Sequence, residues 1–161
     1  MDVPFFGGCA CGAVRYECSA APRSMVNCHC RDCQRAGGGS SSPTVVVPAA
    51  AFTLLKGEPK IYSVTADSGH TARRAFCADC GSPLFALTSA REDFMGIRAG
   101  SLDDPSWFRP QAEMWRARSP GIIWILTCRT SPVVGRRRHG SAATCGPRRA
   151  ATAYAPTHCR R

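Results

Sequence analysis

Three thiols fall within six residues, Cys28-His29-Cys30-Arg31-Asp32-Cys33. Cys28 and Cys30 are two apart, so on an extended backbone their side chains leave the same face. A tight step to Cys33 brings a third sulfur to the same point. Three thiolates about 2.3 Å from one zinc ion fill three corners of a tetrahedron. No fourth Cys or His follows at ligand spacing. Structural zinc sites are closed by four protein ligands, whereas catalytic sites keep one position for water or substrate. The segment therefore reads as a reactive metal site, with Cys28, Cys30 and Cys33 as catalytic ligands. A thiol entering the open corner is deprotonated there and becomes a nucleophile.

Two further pairs flank the triplet, Cys9-Ala10-Cys11 and Cys77-Ala78-Asp79-Cys80, the second followed by Gly81. C-x-x-C before Gly is a zinc-knuckle pattern, a tight turn that presents two thiolates. Together the pairs complete a four-thiolate set, so the seven cysteines divide into one closed and one open site. A closed site joining residues 9–11 to 77–80 clips a long loop and adds folding free energy.

Other assignments stay open at this level. The triplet could be closed by a distant ligand such as His70, or could hold an iron–sulfur cluster. His29, between two ligands, is either a site residue or turned away from the metal. Cys18 stands alone after a strand and reads as a small buried apolar residue. Arg31, Arg35, Arg73 and Arg74 lie near the clusters in sequence, either as a solvated face or as a cradle for an anionic substrate.

The elements that must position these residues are short. Gly7 and Gly8 precede the first cysteine pair and suggest an unusual backbone there. Alternation over Val14–Glu17 marks a half-buried strand, and Met25–Asn27 marks another that leads into the triplet. Gln34–Ala36 completes a helical turn that Gly37–Gly39 ends. Thr44–Val47 is a β-branched core strand. Runs at 52–55, 61–64, 71–76, 84–86 and 94–99 are separated by turn signals, with a polar loop at 66–70 and a turn at 102–105. The pattern is a mostly β, antiparallel domain.

A chain of 161 residues suits one domain with a moderate core. The opening MDVPFFGG lacks the basic and apolar stretches of a secretory signal, and the longest apolar run, Ile122–Leu126, is too short to span a bilayer. The expected setting is a reducing cytoplasm, where clustered cysteines are metal ligands or catalysts rather than disulfides. Residues 1–118 carry 13 Lys+Arg against 11 Asp+Glu, whereas residues 119–161 carry eight Arg and no acidic residue. A nearly neutral body is thus joined to a basic tail. The tail lacks the ordered aromatic or groove-reading residues of a nucleic-acid binder.

The segments GGCACGAVRYE, NCHCRDCQRAGG, FCADCGSPLF and GSLDDP, in this order, resemble the glutathione-dependent formaldehyde-activating enzyme family, which also includes centromere protein V. The likeness covers roughly residues 5–118. It implies the Mss4-like fold of several small coiled β-sheets. It implies a structural zinc on Cys9, Cys11, Cys77 and Cys80 and a catalytic zinc on Cys28, Cys30 and Cys33. It also implies glutathione and formaldehyde as partners, joined in a carbon–sulfur lyase reaction. A zinc-stabilised binding module without catalysis is the alternative, because a fold does not dictate a reaction.

The likeness stops near Arg118. The tail is Arg, Ala, Pro, Gly and Thr without a helix or strand period. Codons can be chosen for Gly121 to Pro132 that, shifted by one base, read WHHMDPDLPHFP, which resembles the usual C-terminal segment of the family. We therefore read residues 119–161 as a frameshifted, disordered tail and residues 1–118 as the zinc-binding domain.

Overall fold

The computed structural model describes residues 2–66 and 69–115. The expectations for residues 119–161 lie outside the described residues, as do two positions of the polar loop. Among the described residues no helix is long and apolar enough to cross a membrane.

The described residues are mostly β and form two sheets. Three short strands, β1 (Phe5–Gly8), β2 (Arg15–Cys18) and β5 (Phe52–Lys56), make an antiparallel sheet with β2 in the middle. The larger sheet has seven strands. They are β3 (Ser24–Cys28), β4 (Ser42–Pro48), β6 (Lys60–Thr65), β7 (Thr71–Phe76), β8 (Pro83–Thr88), β9 (Arg91–Arg98) and β10 (Ala112–Met114). Their spatial order is β10-β3-β4-β9-β8-β7-β6. All pairs are antiparallel except β10 with β3, which run parallel with Glu113 opposite Asn27.

The core lies where the sheets meet. Tyr16, Cys18, Val45, Val47, Leu84 and Ile97 are wholly buried. Phe52 joins the two layers, with its ring 5.1 Å from that of Tyr16 and 4.8 Å, edge-on, from that of Phe85. Such pairs add about 0.5–1.5 kcal/mol beyond area burial. Cys18 packs here as a small apolar side chain, its thiol directed at the Ala20 carbonyl.

One expectation changes its physical content. Gly7 and Gly8 have ordinary strand backbone and belong to β1. Space requires these glycines, because a Cβ on Gly7 would collide with the Tyr16 hydroxyl and the Ser101 carbonyl. The left-handed backbone falls instead on Gly12 and Gly81, at φ 74° and 72°, each directly after a cysteine pair.

The helical turn after the triplet is α1 (Arg31–Gly37). Gly38 ends it in the left-handed region at φ 68°, returning its N–H to the Gln34 carbonyl. That geometry is the αL stop that glycine favours.

Candidate metal centres

The two knuckles are built alike. In the first, the Gly12 N–H bonds the Cys9 carbonyl at 3.1 Å and the Val14 N–H reaches the Cys9 sulfur at 3.2 Å. In the second, the Gly81 N–H bonds the Cys77 carbonyl at 3.0 Å. Ser82 stitches them together, since its Oγ accepts from the Ala10 N–H at 3.1 Å and lies 3.2 Å from the Cys80 sulfur. As a result the sulfurs of Cys9, Cys11, Cys77 and Cys80 all lie within 4.8 Å of one another. Cys9–Cys11 is 3.4 Å and Cys11–Cys77 is 3.7 Å. Four thiolates around one tetrahedral zinc stand about 3.8 Å apart, from a Zn–S length of about 2.3 Å, so this donor set fits that ion. Cys9 and Cys77 are buried while Cys11 and Cys80 are exposed.

Electrostatics within this cluster are uneven. Hydrogen bonds from the Ser82 side chain and backbone pull Cys80 down to about 5. The Val14 N–H lowers Cys9. The Ala13 backbone favours the Cys11 thiolate, but the neighbouring Cys9 and Cys80 sulfurs outweigh it and push Cys11 up to about 12. Thiolates crowded at contact distance repel, and a divalent cation relieves that repulsion.

The triplet is assembled by a strand end and a helix start. Cys28 closes β3, opposite Ser42 of β4. Cys30 is the N-cap of α1, with extended backbone and a sulfur that accepts the Cys33 N–H at 3.3 Å. Cys33 sits one turn in. The three sulfurs lie within 4.8 Å of one another, and no His, Asp, Glu or further Cys among the described residues joins them. His29 and His70 belong to neither cluster. Two clusters in this chain could therefore hold metal ions.

Side chains that carry no signal in the sequence hold the triplet loop. Gln34, buried on α1, donates to the His29 carbonyl at 3.0 Å and to the Ser40 carbonyl at 3.1 Å. The His29 ring is buried and turned to Glu113 of β10 through Nε2. Arg98, at the end of β9, is held by the Ser42 and Thr44 hydroxyls, and Ser42 stands opposite Cys28 across the sheet. Cys33 is drawn down to about 5, first by the hydrogen bond from Cys28 and further by the Arg98 guanidinium, against the opposing effect of burial. Cys28 is raised by its bond with Cys33 and by burial, and Cys30 is raised mainly by burial.

Three cavities follow α1 from Gly37 back to Asp32. The first, about 500 Å³, is lined by Cys9, Gly37, Ser42, Ser82 and Arg98 among others. The second, about 410 Å³, shares Pro83 and Arg98 with it and continues over Tyr62, Arg74 and Phe85. The third, about 340 Å³, shares Ala36, Tyr62 and Arg74 with the second and adds Asp32 and Arg35. Of the four arginines singled out in the sequence, Arg35 and Arg74 thus line this cleft. Arg31 is exposed and bonds Gln34, and Arg73 is exposed on the opposite face of β7.

The family model described as glutathione-dependent formaldehyde-activating enzyme matches residues 4–118. Among solved structures, the chain is similar to a crystal structure of a Rhodobacter sphaeroides protein at a TM-score of 0.55 and 19% identity. That match covers 68% of this chain and 99% of the other, and at this identity it speaks to the fold alone. With its sulfur clusters carried on the matched residues, the chain belongs to the glutathione-dependent formaldehyde-activating enzyme family.

Proposed function

We propose that the chain is a zinc-dependent carbon–sulfur lyase-type enzyme. It activates a thiol, glutathione, for reversible addition to formaldehyde or a related small electrophile. The observation that carries this reading is the contrast between the clusters: four sulfurs in one, three in the other with no fourth donor among the described residues. Cys9, Cys11, Cys77 and Cys80 would hold a structural zinc, and Cys28, Cys30 and Cys33 a catalytic one. Bound at the triplet, a zinc ion would supply the Lewis acidity that lowers the pKa of a thiol in its remaining position.

The reaction is an addition without change of oxidation state. The thiol gives up its proton and its sulfur forms a bond to the formaldehyde carbon. The C=O π pair moves to oxygen, and a proton returns to that oxygen. Arg98, fixed by the Ser42 and Thr44 hydroxyls on the strand opposite Cys28, would supply positive charge to stabilise the oxygen as it becomes negative. Gln34 and the His29–Glu113 contact keep the triplet loop in one conformation, so the sulfurs need no rearrangement.

The family match ends at Arg118, where the composition also changes, and this supports assigning the activity to residues 1–118 and none of it to 119–161. Sequencing the gene across codons 118–121 tests the frameshift. The eight cysteines of the described residues are free thiols, which suits a reducing, cytoplasmic setting.

The test of function is exchange of ¹³C-formaldehyde with its glutathione adduct, followed by NMR, in wild type and Cys30→Ser, alongside zinc content. Wild type should accelerate the exchange with two zinc ions per chain, and Cys30→Ser should lose both the acceleration and one ion. Equal rates in the two proteins, with the triplet metal gone from the variant, would overturn the mechanism.

A further inference from the structure

We propose that β6 pairs with β6 of a second copy of this chain, antiparallel about a twofold axis at Ser63, to form a homodimer. The inference is independent of the reaction assigned to the sulfur clusters.

β6 is the outermost strand of the larger sheet, and among the described residues nothing pairs with its open side. Proteins blunt such an edge with a short strand, a bulge, a proline, a charge or a covering segment, because its free N–H and C=O groups template pairing. The other edges carry such devices. β10 has three residues, β1 is bridged to Leu102, and the pairing of β5 with β2 shifts register between Arg15 and Tyr16. β6 has six residues in unbroken register with β7, from Lys60 opposite Phe76 to Thr65 opposite Thr71. It is rich in β-branched and aromatic residues, and its one charge is Lys60 at the first position. All of its residues except Val64 are exposed. Leu54, Leu55, Ile61 and Tyr62, on β5 and β6, are half of the large apolar side chains exposed among the described residues. Apolar surface concentrated in this way marks a contact region.

Backbone direction names the occupant. The Ala66 N–H bonds the His70 carbonyl at 2.9 Å and extends the β6–β7 register by one pair. Hydrogen-bonding residues alternate along an antiparallel strand. Tyr62 and Val64 therefore share the direction of Ala66, toward β7. Ile61, Ser63 and Thr65 turn their N–H and C=O groups to the open side, and Ser63 is the middle one. Ser63 opposite its own copy sets Ile61 opposite Thr65 on either side, so every outward group finds a partner, about six hydrogen bonds in all. Tyr62 then faces Val64 of the second copy, an aromatic–β-branched pair of the kind that stabilises sheets.

Competing arrangements are poorer. Centring on Tyr62 sets Thr65 against Pro59, which has no N–H to give. An in-register parallel pairing brings the two Lys60 side chains together, whereas the antiparallel one sends them to opposite ends of the seam. Because both copies use the same edge, association closes at two.

Sedimentation equilibrium of zinc-loaded full-length protein tests the pairing. Wild type should move to twice the chain mass as its concentration rises toward about 1 mM. Ser63→Lys and Ser63→Glu, at an exposed position where folding is not at risk, each set like charges face to face on the axis. Each should weaken the dimer about tenfold or more. An equimolar mixture of the two variants should regain the dimer, because opposite charges then meet, a rescue that misfolded protein cannot give. Thr53→Lys, exposed on β5, should leave the mass unchanged. A wild type that stays monomeric up to about 1 mM overturns the proposal. So does a dimer that Ser63→Lys leaves intact, or a mixture of the two Ser63 variants that stays monomeric.

Discussion

The buried ring of His29 is hydrogen-bonded through Nε2 to the carboxylate of Glu113, while its Nδ1 has no partner among the described residues. The same carboxylate accepts from Asn27 Nδ2 at 2.9 Å, so Glu113 grips the residues on both sides of Cys28. The contact spans the parallel pair β3–β10, and the His29 N–H completes it by bonding the Met114 carbonyl at 2.9 Å. A three-residue strand therefore braces the start of the triplet loop. Replacing Glu113 with Ala leaves a second nitrogen of a buried ring unsatisfied, which costs about 1–3 kcal/mol. We expect Glu113→Ala to lower Tm and to speed loss of the triplet metal to a coloured chelator. Glu113→Gln, which still accepts through its amide oxygen, should restore most of both. Unchanged chelation kinetics in Glu113→Ala would show that the brace does not reach the metal loop.

The two clusters should respond differently to loss of a ligand. A structural zinc contributes about 10–16 kcal/mol of apparent binding free energy, as much as the whole stability of a typical domain. Cys77 is almost wholly buried and its knuckle joins distant parts of the chain. Cys77→Ser should therefore fail to fold, giving no cooperative thermal transition. Cys30→Ser removes one of three ligands on a local loop, so it should keep its far-ultraviolet circular dichroism while binding one zinc ion fewer. Cooperative melting of metal-free Cys77→Ser would show that the four-sulfur site does not hold the fold.

Much of this architecture was legible before any coordinates. The strands at 15–18 and 42–48 follow runs of β-branched or alternating residues, because burial of one strand face imposes that pattern. The glycine stop of α1 and the cysteine groups were equally visible, since each depends on local spacing. Strand β10 was not. Its sequence Ala112-Glu113-Met114 is wholly exposed and has no alternation, and only backbone pairing with β3 defines it. Arg98 was also hidden, because Ser42 and Thr44, which hold it near the end of β3, lie across the sheet and not along the chain. Sorting Arg74 from Arg73 needed the strand register, as one residue of phase decides which of them faces the cleft.

Tyr16 sets an alkaline limit on stability. Burial raises its phenol to about 12 from 10.0 despite the bond with Ser101 that opposes the rise. Its hydroxyl is 2.7 Å from Ser101 Oγ and donates to the Ser101 carbonyl at 3.1 Å. Between pH 10 and 12 the unfolded chain loses this proton and the folded chain keeps it. The unfolded state then binds fewer protons, so stability falls as pH rises through that window. The shift corresponds to about 2–3 kcal/mol at about 1.4 kcal/mol per unit. Urea midpoints measured from pH 8 to 12 should decline above pH 10 in wild type. Tyr16→Phe should be less stable at pH 8, since Ser101 loses a partner, but should decline less steeply above pH 10.

Gly7 and Gly100 separate two reasons for glycine at the edge of this core. A methyl group on Gly7 meets the Tyr16 hydroxyl and the Ser101 carbonyl, both held in place by the bonds they share. The collision falls partly on backbone, so rotamer changes cannot relieve it, and overpacking of this kind costs about 1–3 kcal/mol or more. A methyl group on Gly100 meets nothing within 4 Å and its backbone is not left-handed. There alanine mainly reduces the entropy of the unfolded chain, a change of about 0.4–1 kcal/mol in favour of folding. Gly7→Ala should therefore lower the thermal midpoint clearly, and Gly100→Ala should leave it equal or slightly higher. Because β1 leads straight into Cys9, Gly7→Ala should also weaken zinc retention at the four-sulfur cluster, measured by chelator competition at 25 °C. If Gly7→Ala melts like wild type and keeps its zinc, the close approach of β1 to Tyr16 does not position the first knuckle.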